Sequence, residues 1–322
     1  MYSFTPKDKR IFITGGTGFL GRSLIERLYK KNEIIIYSRD EAKHHFLKEK
    51  YPNVHFILGD IRDKELLNRS AKGANIGIFA ASLKQISSCD QNPEEALQTI
   101  ANGAINSKHI AIENKFDSAI FISSDKSRAA TTIYGSLKYF AGEQFILKNN
   151  YERHSSTNLS TVIYGNVLNS TGSIIPMIWK SINSNTELTL FSKKMTRFII
   201  DVDQAIDLIF EGISYDQASL IPKSKSIKVL DLFEIYKENF NLKFNIGYPR
   251  IGEKIHEVLV TQEEMSRLSN SDCGTFYILK PFRTKFKSDC TQLRNDSYSS
   301  KDCLISKSEL NKILNKFNYF KP

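Results

Sequence analysis

Within the segment SSDKSRAATTIYGSLK, residues 123–138, an acid and a base stand side by side, Asp125 and Lys126, and a tyrosine and a lysine follow four residues apart, Tyr134 and Lys138. Positions i and i+4 are neighbours on one helix face, so a helix over IYGSLKYFAGEQFI would present Tyr134 and Lys138 together. An ammonium beside a phenol favours phenolate and lowers its pKa from about 10 toward working pH. A phenolate at a nicotinamide takes a hydroxyl proton while hydride leaves the same carbon, which is reversible alcohol oxidation. Asp125 and Lys126 suit a second reaction. Once the alcohol is a ketone, the neighbouring C–H is acidic. A desolvated Lys126 would titrate low enough to remove that proton. Asp125, kept protonated in a dry site, would help expel a β-hydroxyl. Y-x-x-x-K also occurs by chance on helices, and an adjacent Asp–Lys is ordinarily an exposed pair or a helix cap, so the surrounding elements decide.

Those elements alternate. RIFIT, EIIIYS, NVHFIL, NIGIFA, SAIFIS and STVIY are short, continuous runs rich in Ile, Phe and Val, the pattern of parallel strands buried on both faces. Helical patterns lie between them. One begins at Gly18, and another at Pro93, where Pro occupies the first turn and Glu94 and Glu95 follow. Strand–helix alternation of this kind predicts an α/β fold, a Rossmann-like doubly wound parallel sheet. After about Asn166 the alternation weakens. NSTGSIIP and ISYDQASLIPKSKSIK read as loops or short strands, and VLDLFEIYKENF and SKSELNKILNKF as helices. We therefore expect a dinucleotide-binding domain over 1–165, to which the chain returns near 196–215, and a smaller mixed α/β C-terminal substrate domain over 166–322.

FITGGTGFLG places Gly15, Gly18 and Gly21 directly after the first strand, with Thr17 and Phe19 among them. Gly15 would permit the tight turn, Gly18 would let backbone approach a pyrophosphate, and Gly21 would allow close helix–strand packing. The helix N-terminus then offers free N–H groups and a positive dipole. The second strand ends YSRD. Ser38 and Arg39 precede Asp40, and a hydroxyl followed by a guanidinium suits a 2′-phosphate. The expected cofactor is NADP, with Asp40 capping the next helix. Asp60 and Ile61 of GDIRD would flank the adenine, and small Ala80 and Ala81 of FAAS would leave room for the cofactor. Ligands in such sheets sit beyond the carboxyl ends of the strands, the edge to which SAIFISSDK delivers Ser123, Ser124, Asp125 and Lys126.

Composition excludes other classes. The formal charge of +10 and pI near 9.2 come from lysines scattered along the chain, denser only from Lys223, and no nucleic-acid module accompanies them. Cys89, Cys273, Cys290 and Cys303 have no metal-type spacing, and no metal is expected. The N-terminus lacks an apolar signal core and no run is long enough for a membrane span. A cytoplasmic protein with reduced thiols is expected.

The glycine loop, the strand-end serine and Y-x-x-x-K together resemble the extended short-chain dehydrogenase/reductase superfamily. SSDK, SLKQISSCDQNPEEALQT, YGNVLNSTGSIIP, KKMTRFIIDVDQAI and GEKIHEVLV, across residues 10–262, are similar to the 5-inverting UDP-N-acetylglucosamine 4,6-dehydratases of pseudaminic acid and capsule synthesis. That family reads Ser-Thr-Asp-Lys at the strand end, whereas retaining dehydratases carry Asp-Glu. The resemblance implies that Tyr134 and NADP oxidise C4 of the sugar, Lys126 takes the C5 proton and Asp125 assists loss of the 6-hydroxyl. It places Lys84, Ser124 and Tyr164 in the same pocket, and Asn166, Arg197, Glu253 and Lys254 at the nucleotide diphosphate. It also implies a homo-oligomer. The chain departs from the pattern at Ile163 and Thr171, where the family has Arg, at Ile100 for Asn, and at Ala130 and Ile251 for Pro. A UDP-sugar epimerase or reductase, and a catalytically altered NADP-binding protein, are the competing readings.

Overall fold

The computed structural model describes residues 4–249, 252–282 and 296–321; Ile251 and Cys290 lie outside them. The strands are β1 (Arg10–Thr14), β2 (Glu33–Ser38), β3 (His55–Leu58), β4 (Ile76–Phe79), β5 (Ser118–Ile122), β6 (Asn158–Val162), β7 (Asn166–Val167), β8 (Leu188–Leu190), β9 (Thr196–Ile200), β10 (Ala218–Pro222), β11 (Lys225–Lys228), β12 (Phe244–Ile246), β13 (Val258–Val260), β14 (Leu268–Asn270), β15 (Phe276–Leu279) and β16 (Tyr298–Ser299). The helices are α1 (Phe19–Leu28), α2 (Glu41–Lys50), α3 (Lys64–Ser70), α4 (Ile86–Gln91), α5 (Pro93–Ala96), α6 (Gly103–Glu113), α7 (Ile133–Ile146), α8 (Ile174–Asn183), α9 (Val202–Gly212), α10 (Val229–Phe240) and α11 (Lys307–Lys316).

The main sheet runs β3-β2-β1-β4-β5-β6-β10, all parallel, and is extended by β15 and β14, each antiparallel to its neighbour. β4, β5 and β10 are buried along their whole length, as strands covered on both faces must be. One layer packs Leu24, Ile25, Ile206 and Phe210 against the sheet. The opposite layer packs Phe79, Phe116, Phe145 and Tyr134. The doubly wound sheet of the sequence reading is therefore present, and its carboxyl edge carries the residues of interest.

Two local readings are corrected. The run STVIY is displaced: β6 ends at Val162, and Ile163 and Tyr164 lie past it. Of the segment read as loops or short strands, ASLIP is a buried strand, its Pro222 at the strand's last position, beyond which no interior ladder bond is needed. NSTGSIIP runs into α8, whose Pro176 stands in the first turn, where its missing N–H costs nothing. The helix begun at Pro93 is interrupted by a π-helical stretch over Leu97–Asn102 that buries Ile100, a distortion common near functional sites.

A second cluster of short elements lies over the carboxyl edge. β7, β9 and β11 form a three-stranded sheet, β8 pairs with β12, and β13 with β16. Ile163 is buried against Phe198, Leu259 and Tyr298, so this departure from the family pattern is a core position.

Candidate active site

The glycine loop is built for close approach. Gly15 has φ +69°, and a Cβ there would stand 2.8 Å from the Ala81 nitrogen, so the turn and the packing both need glycine. Gly18 is the N-cap of α1 and supplies no side-chain cap, which leaves the first N–H groups for a ligand. Gly21 packs on the backbone of Gly16 in the loop rather than on the strand. Thr17 Oγ1 is 3.2 Å from Ser38 Oγ, which is 2.6 Å from His44 Nε2. His44, absent from the sequence reading, is held below the usual histidine value by burial, with Asp40 opposing. Asp40 caps α2 by accepting from Lys43 N–H.

Asp60 is gripped by the Arg62 guanidinium at 2.8 and 3.0 Å, whereas Arg39 reaches it only at 3.4 Å and stays half exposed. The Ile61 side chain points into the core. Ala80 and Ala81 are tied to β1, Ala81 N–H donating to Thr14 Oγ1. Phe19 is half-buried at the start of α1.

Past the end of β5 the chain makes a 3-10 turn over Asp125–Ser127. Asp125 N–H donates to the Tyr164 carbonyl, and Ser123 N–H to Val162, which extends the sheet pairing just far enough to fix the turn. Asp125 is fully buried. Its Oδ1 accepts from Ser124 Oγ at 2.9 Å and from Lys126 Nζ at 3.0 Å, while Oδ2 has no partner. Burial pushes the carboxyl up, against the pull of Lys126, as the acid role requires.

Lys126 departs from expectation. Burial alone would lower it, but Asp125 and Glu257 outweigh burial and hold the ammonium above the usual lysine value. Glu257 Oε1 lies 3.4 Å away. Desolvation alone would favour the free amine, but two facing carboxylates favour the ammonium in the resting site.

Tyr134 and Lys138 share the buried face of α7, but not in the anticipated electrostatic arrangement. Lys138 Nζ donates to the Ile122 carbonyl at 2.9 Å and burial lowers it to about 8. Tyr134 is pushed up to about 12 by burial, and the cation that opposes this is Lys126. The cation beside the phenol is thus Lys126, and Lys138 pins α7 to β5. Gly135, beside Tyr134, is a further requirement: its Cβ would stand 2.4 Å from the Lys126 carbonyl oxygen. Tyr164 is buried next to Tyr134.

The wall facing this turn comes from β9 and the 252–257 loop. Arg197 donates to Glu253 at 2.6 Å and its Nε is 3.7 Å from Glu257. Lys254 is 3.6 Å from Glu257 and donates to the Arg128 carbonyl. A cavity of about 290 Å³ opens here, lined by Asn166, Arg197, Glu253, Phe191 and Phe233; the buried Asn166 Oδ1 has no partner. Lys84 is exposed and donates to the Thr171 carbonyl, and burial of its ammonium lowers it. The structure brings Lys84 to the loop beside this cavity. A larger hollow of about 680 Å³, between Phe4, Lys31, Ile76 and Ile213, lies at the amino ends of the strands, away from these groups.

Sequence reading missed Glu257, although it stands inside the quoted GEKIHEVLV, because nothing local says which strand it will face. It also missed Arg128, whose guanidinium is buried between Glu264 at 2.7 Å and Glu143 at 3.1 Å, with Arg267 completing the cluster.

Known proteins share this arrangement's sequence and fold. The inverting UDP-N-acetylglucosamine 4,6-dehydratase of Campylobacter jejuni serotype O:2 is 33% identical over 264 residues, 80% of this chain and 78% of its own. The UDP-glucose 4-epimerase of Rickettsia bellii is 32% identical over 282 residues, 84% and 82%. The X-ray structure of Pen from Bacillus thuringiensis superposes with a TM-score of 0.87 at 27% identity, covering 97% of this chain and 99% of that one. Residues 11–280, which hold the glycine loop, the Asp125 turn, Tyr134 and Glu257, match the family model described as polysaccharide biosynthesis protein, and this chain belongs to that family, in company with the inverting UDP-N-acetylglucosamine 4,6-dehydratases of the extended short-chain dehydrogenase/reductase type.

Proposed function

We propose that this protein is a nucleotide-sugar 4,6-dehydratase that converts UDP-N-acetylglucosamine to the 4-keto-6-deoxy sugar with inversion at C5, using NADP kept bound, for surface-glycan synthesis. The observation that carries the reading is the Asp125–Lys126 pair, 3.0 Å apart and converging on Tyr134. An epimerase working through Tyr134 alone needs no second acid and base.

The glycine loop fits a dinucleotide: the cradle at Gly15 would be filled by any Cβ, and the α1 N-terminus is uncapped. Ser38 and Arg39 would hold the 2′-phosphate. Asp60 is already satisfied by Arg62, so the half-exposed Arg39 fork remains available. Arg39→Ala is expected to weaken NADP binding by about 10- to 100-fold and to leave NAD binding within about twofold, measured by calorimetry; equal losses for both would sink the assignment.

Bound NADP would accept the hydride from C4 and return it at C6, with a solvent-derived proton entering C5 from the opposite face. Tyr134 takes the C4 hydroxyl proton as the phenolate, a form that burial opposes and the Lys126 ammonium favours. Lys126 and Asp125 then divide one proton between them. Its transfer from Lys126 Nζ to Asp125 Oδ1 turns the ion pair into an amine and a carboxylic acid, the two forms elimination needs. The amine removes the C5 proton, the acid protonates the departing 6-hydroxyl, which leaves as water, and the pair is again ammonium and carboxylate. The cavity beside Asn166 and Arg197 would take the nucleotide.

Incubation with UDP-N-acetylglucosamine in deuterated water, followed by NMR of the product, tests this. A 4-keto-6-deoxy sugar carrying deuterium at C5, with no net NADPH, is expected. A product that keeps its 6-hydroxyl means an epimerase, and no turnover on a panel of nucleotide sugars means a binding protein.

A further inference from the structure

We propose that Glu257 is a positioning residue of this reaction: its carboxylate holds the shared proton of the Asp125–Lys126 pair on the lysine in the resting site and so sets the pH range over which the pair works. The inference deepens the dehydratase reading and rests on it for the role of the pair.

Three observations carry it. Glu257 is 4% exposed at its side chain, and its Oε1 lies 3.4 Å from Lys126 Nζ. Among the described residues its buried Oε2 makes no hydrogen bond and faces only the Lys254 ammonium, at 3.6 Å, so the carboxylate acts there by its charge. Its backbone is clamped on both sides: its N–H donates to Ser300 Oγ at 2.9 Å, and its carbonyl accepts from Ser300 N–H at 2.8 Å and Ser299 Oγ at 3.2 Å. The backbone of Glu257 is therefore fixed beside the β13–β16 pairing, and its carboxylate lies among Lys126, Arg197 and Lys254.

The other charged or titratable groups facing the pair are Tyr134 from α7, Arg197 from β9, and Glu253 and Lys254 from the 252–257 loop. Burial opposes ionisation of Glu257, but Lys126, Arg197 and Lys254 outweigh it and keep the group a carboxylate. A fixed negative charge raises the proton affinity of both pair members: it favours the ammonium of Lys126 and disfavours the carboxylate of Asp125. It favours the lysine more, being in direct contact with it. The free amine thus forms only by transfer to Asp125, when the substrate needs it, and the resting lysine is no nucleophile.

The test uses Glu257→Gln, which keeps shape and removes charge, and Glu257→Asp, which restores charge. Both limbs of the kcat/KM pH profile are expected to move down by about one unit or more in Glu257→Gln, so that on the acid limb the variant is about tenfold more active relative to its own maximum. Glu257→Asp should bring the limbs back. In parallel, the Asp125 carboxyl is titrated by 13C NMR, its resonance assigned by its loss in Asp125→Asn; its midpoint should fall by a similar amount in Glu257→Gln and recover in Glu257→Asp. A merely structural Glu257 would lower Tm and leave both titrations at their wild-type positions, which overturns the proposal. Should no nucleotide sugar turn over while the Asp125 midpoint still shifts, the inference about Glu257 stands and the dehydratase reading falls.

Discussion

Lys126→Met is expected to reduce formation of the 4-keto-6-deoxy product by about 10³-fold or more, since a positioned acid–base group contributes roughly 10² to 10⁴ and in the proposed mechanism the same nitrogen would both protonate Asp125 and receive the C5 proton. Methionine keeps the length of the stem and removes the charge. Asp125 then loses the cation that opposes its burial, so it becomes a stronger proton holder and a poorer partner for the leaving hydroxyl. Deuterium incorporation at C5 should vanish together with dehydration. NADP binding should survive, because Lys126 lies at the end of β5 and the glycine loop follows β1. The measurement is product and C5 exchange by NMR, with cofactor affinity by calorimetry. Loss of dehydration with C5 exchange intact would mean that another group is the base.

The second large effect is on stability. Arg128 is the residue directly after the catalytic turn, 3% exposed at its side chain, and neutralises Glu143 from α7 and Glu264 from the 3-10 helix over Gln262–Arg267. Arg128→Met would leave two buried carboxylates sharing Arg267, which is 4.0 Å from one and 3.5 Å from the other. Removing one partner of a buried ion cluster costs about 3–5 kcal/mol. For a chain of this size that corresponds to a fall in Tm of roughly 4–7 °C. Arg128→Lys should recover only part of it, since a point ammonium cannot bond both carboxylates in the fork geometry. A thermal midpoint unchanged in Arg128→Met would show that the cluster is solvated and contributes little. The same change loosens the link between the turn and the 252–257 loop, because the Arg128 carbonyl is the acceptor for Lys254.

The pH behaviour of the two lysines separates their roles. Lys138 is buried against the Phe121 ring, with its cation 4.9 Å from the ring centroid, and its only opposing influence from a charge is Cys89. Burial wins there and the lysine falls to about 8. Lys126, twelve residues earlier, is flanked by two carboxylates and rises. Both residues are lysines in dry surroundings; the sign of the shift is decided by what faces them.

Much was legible in the chain alone. Continuous apolar runs marked β1 to β5, because strands covered on both faces cannot afford polar alternation. Gly15 announced a positive φ, and the adjacency of Asp125 and Lys126 after a strand announced an acid and a base at the carboxyl edge. Local chemistry of this kind is written in neighbouring residues. The later strands were harder: β10 ends in proline and is followed by lysines, and it enters the main sheet only by pairing with β6, some fifty residues earlier in the chain.

What tertiary structure alone decided is the electrostatic state of the site. The types Tyr, Lys, Asp and Lys were given by position, and so was the Asp125 carboxylate beside Lys126, but the second carboxylate that holds this ammonium against burial, Glu257, comes from more than a hundred residues downstream and is carried to 3.4 Å from it. Lys138 is depressed because its neighbours are a ring and a carbonyl. Proton affinity depends on burial and on charges within a few ångströms, and those distances exist only once the chain has folded.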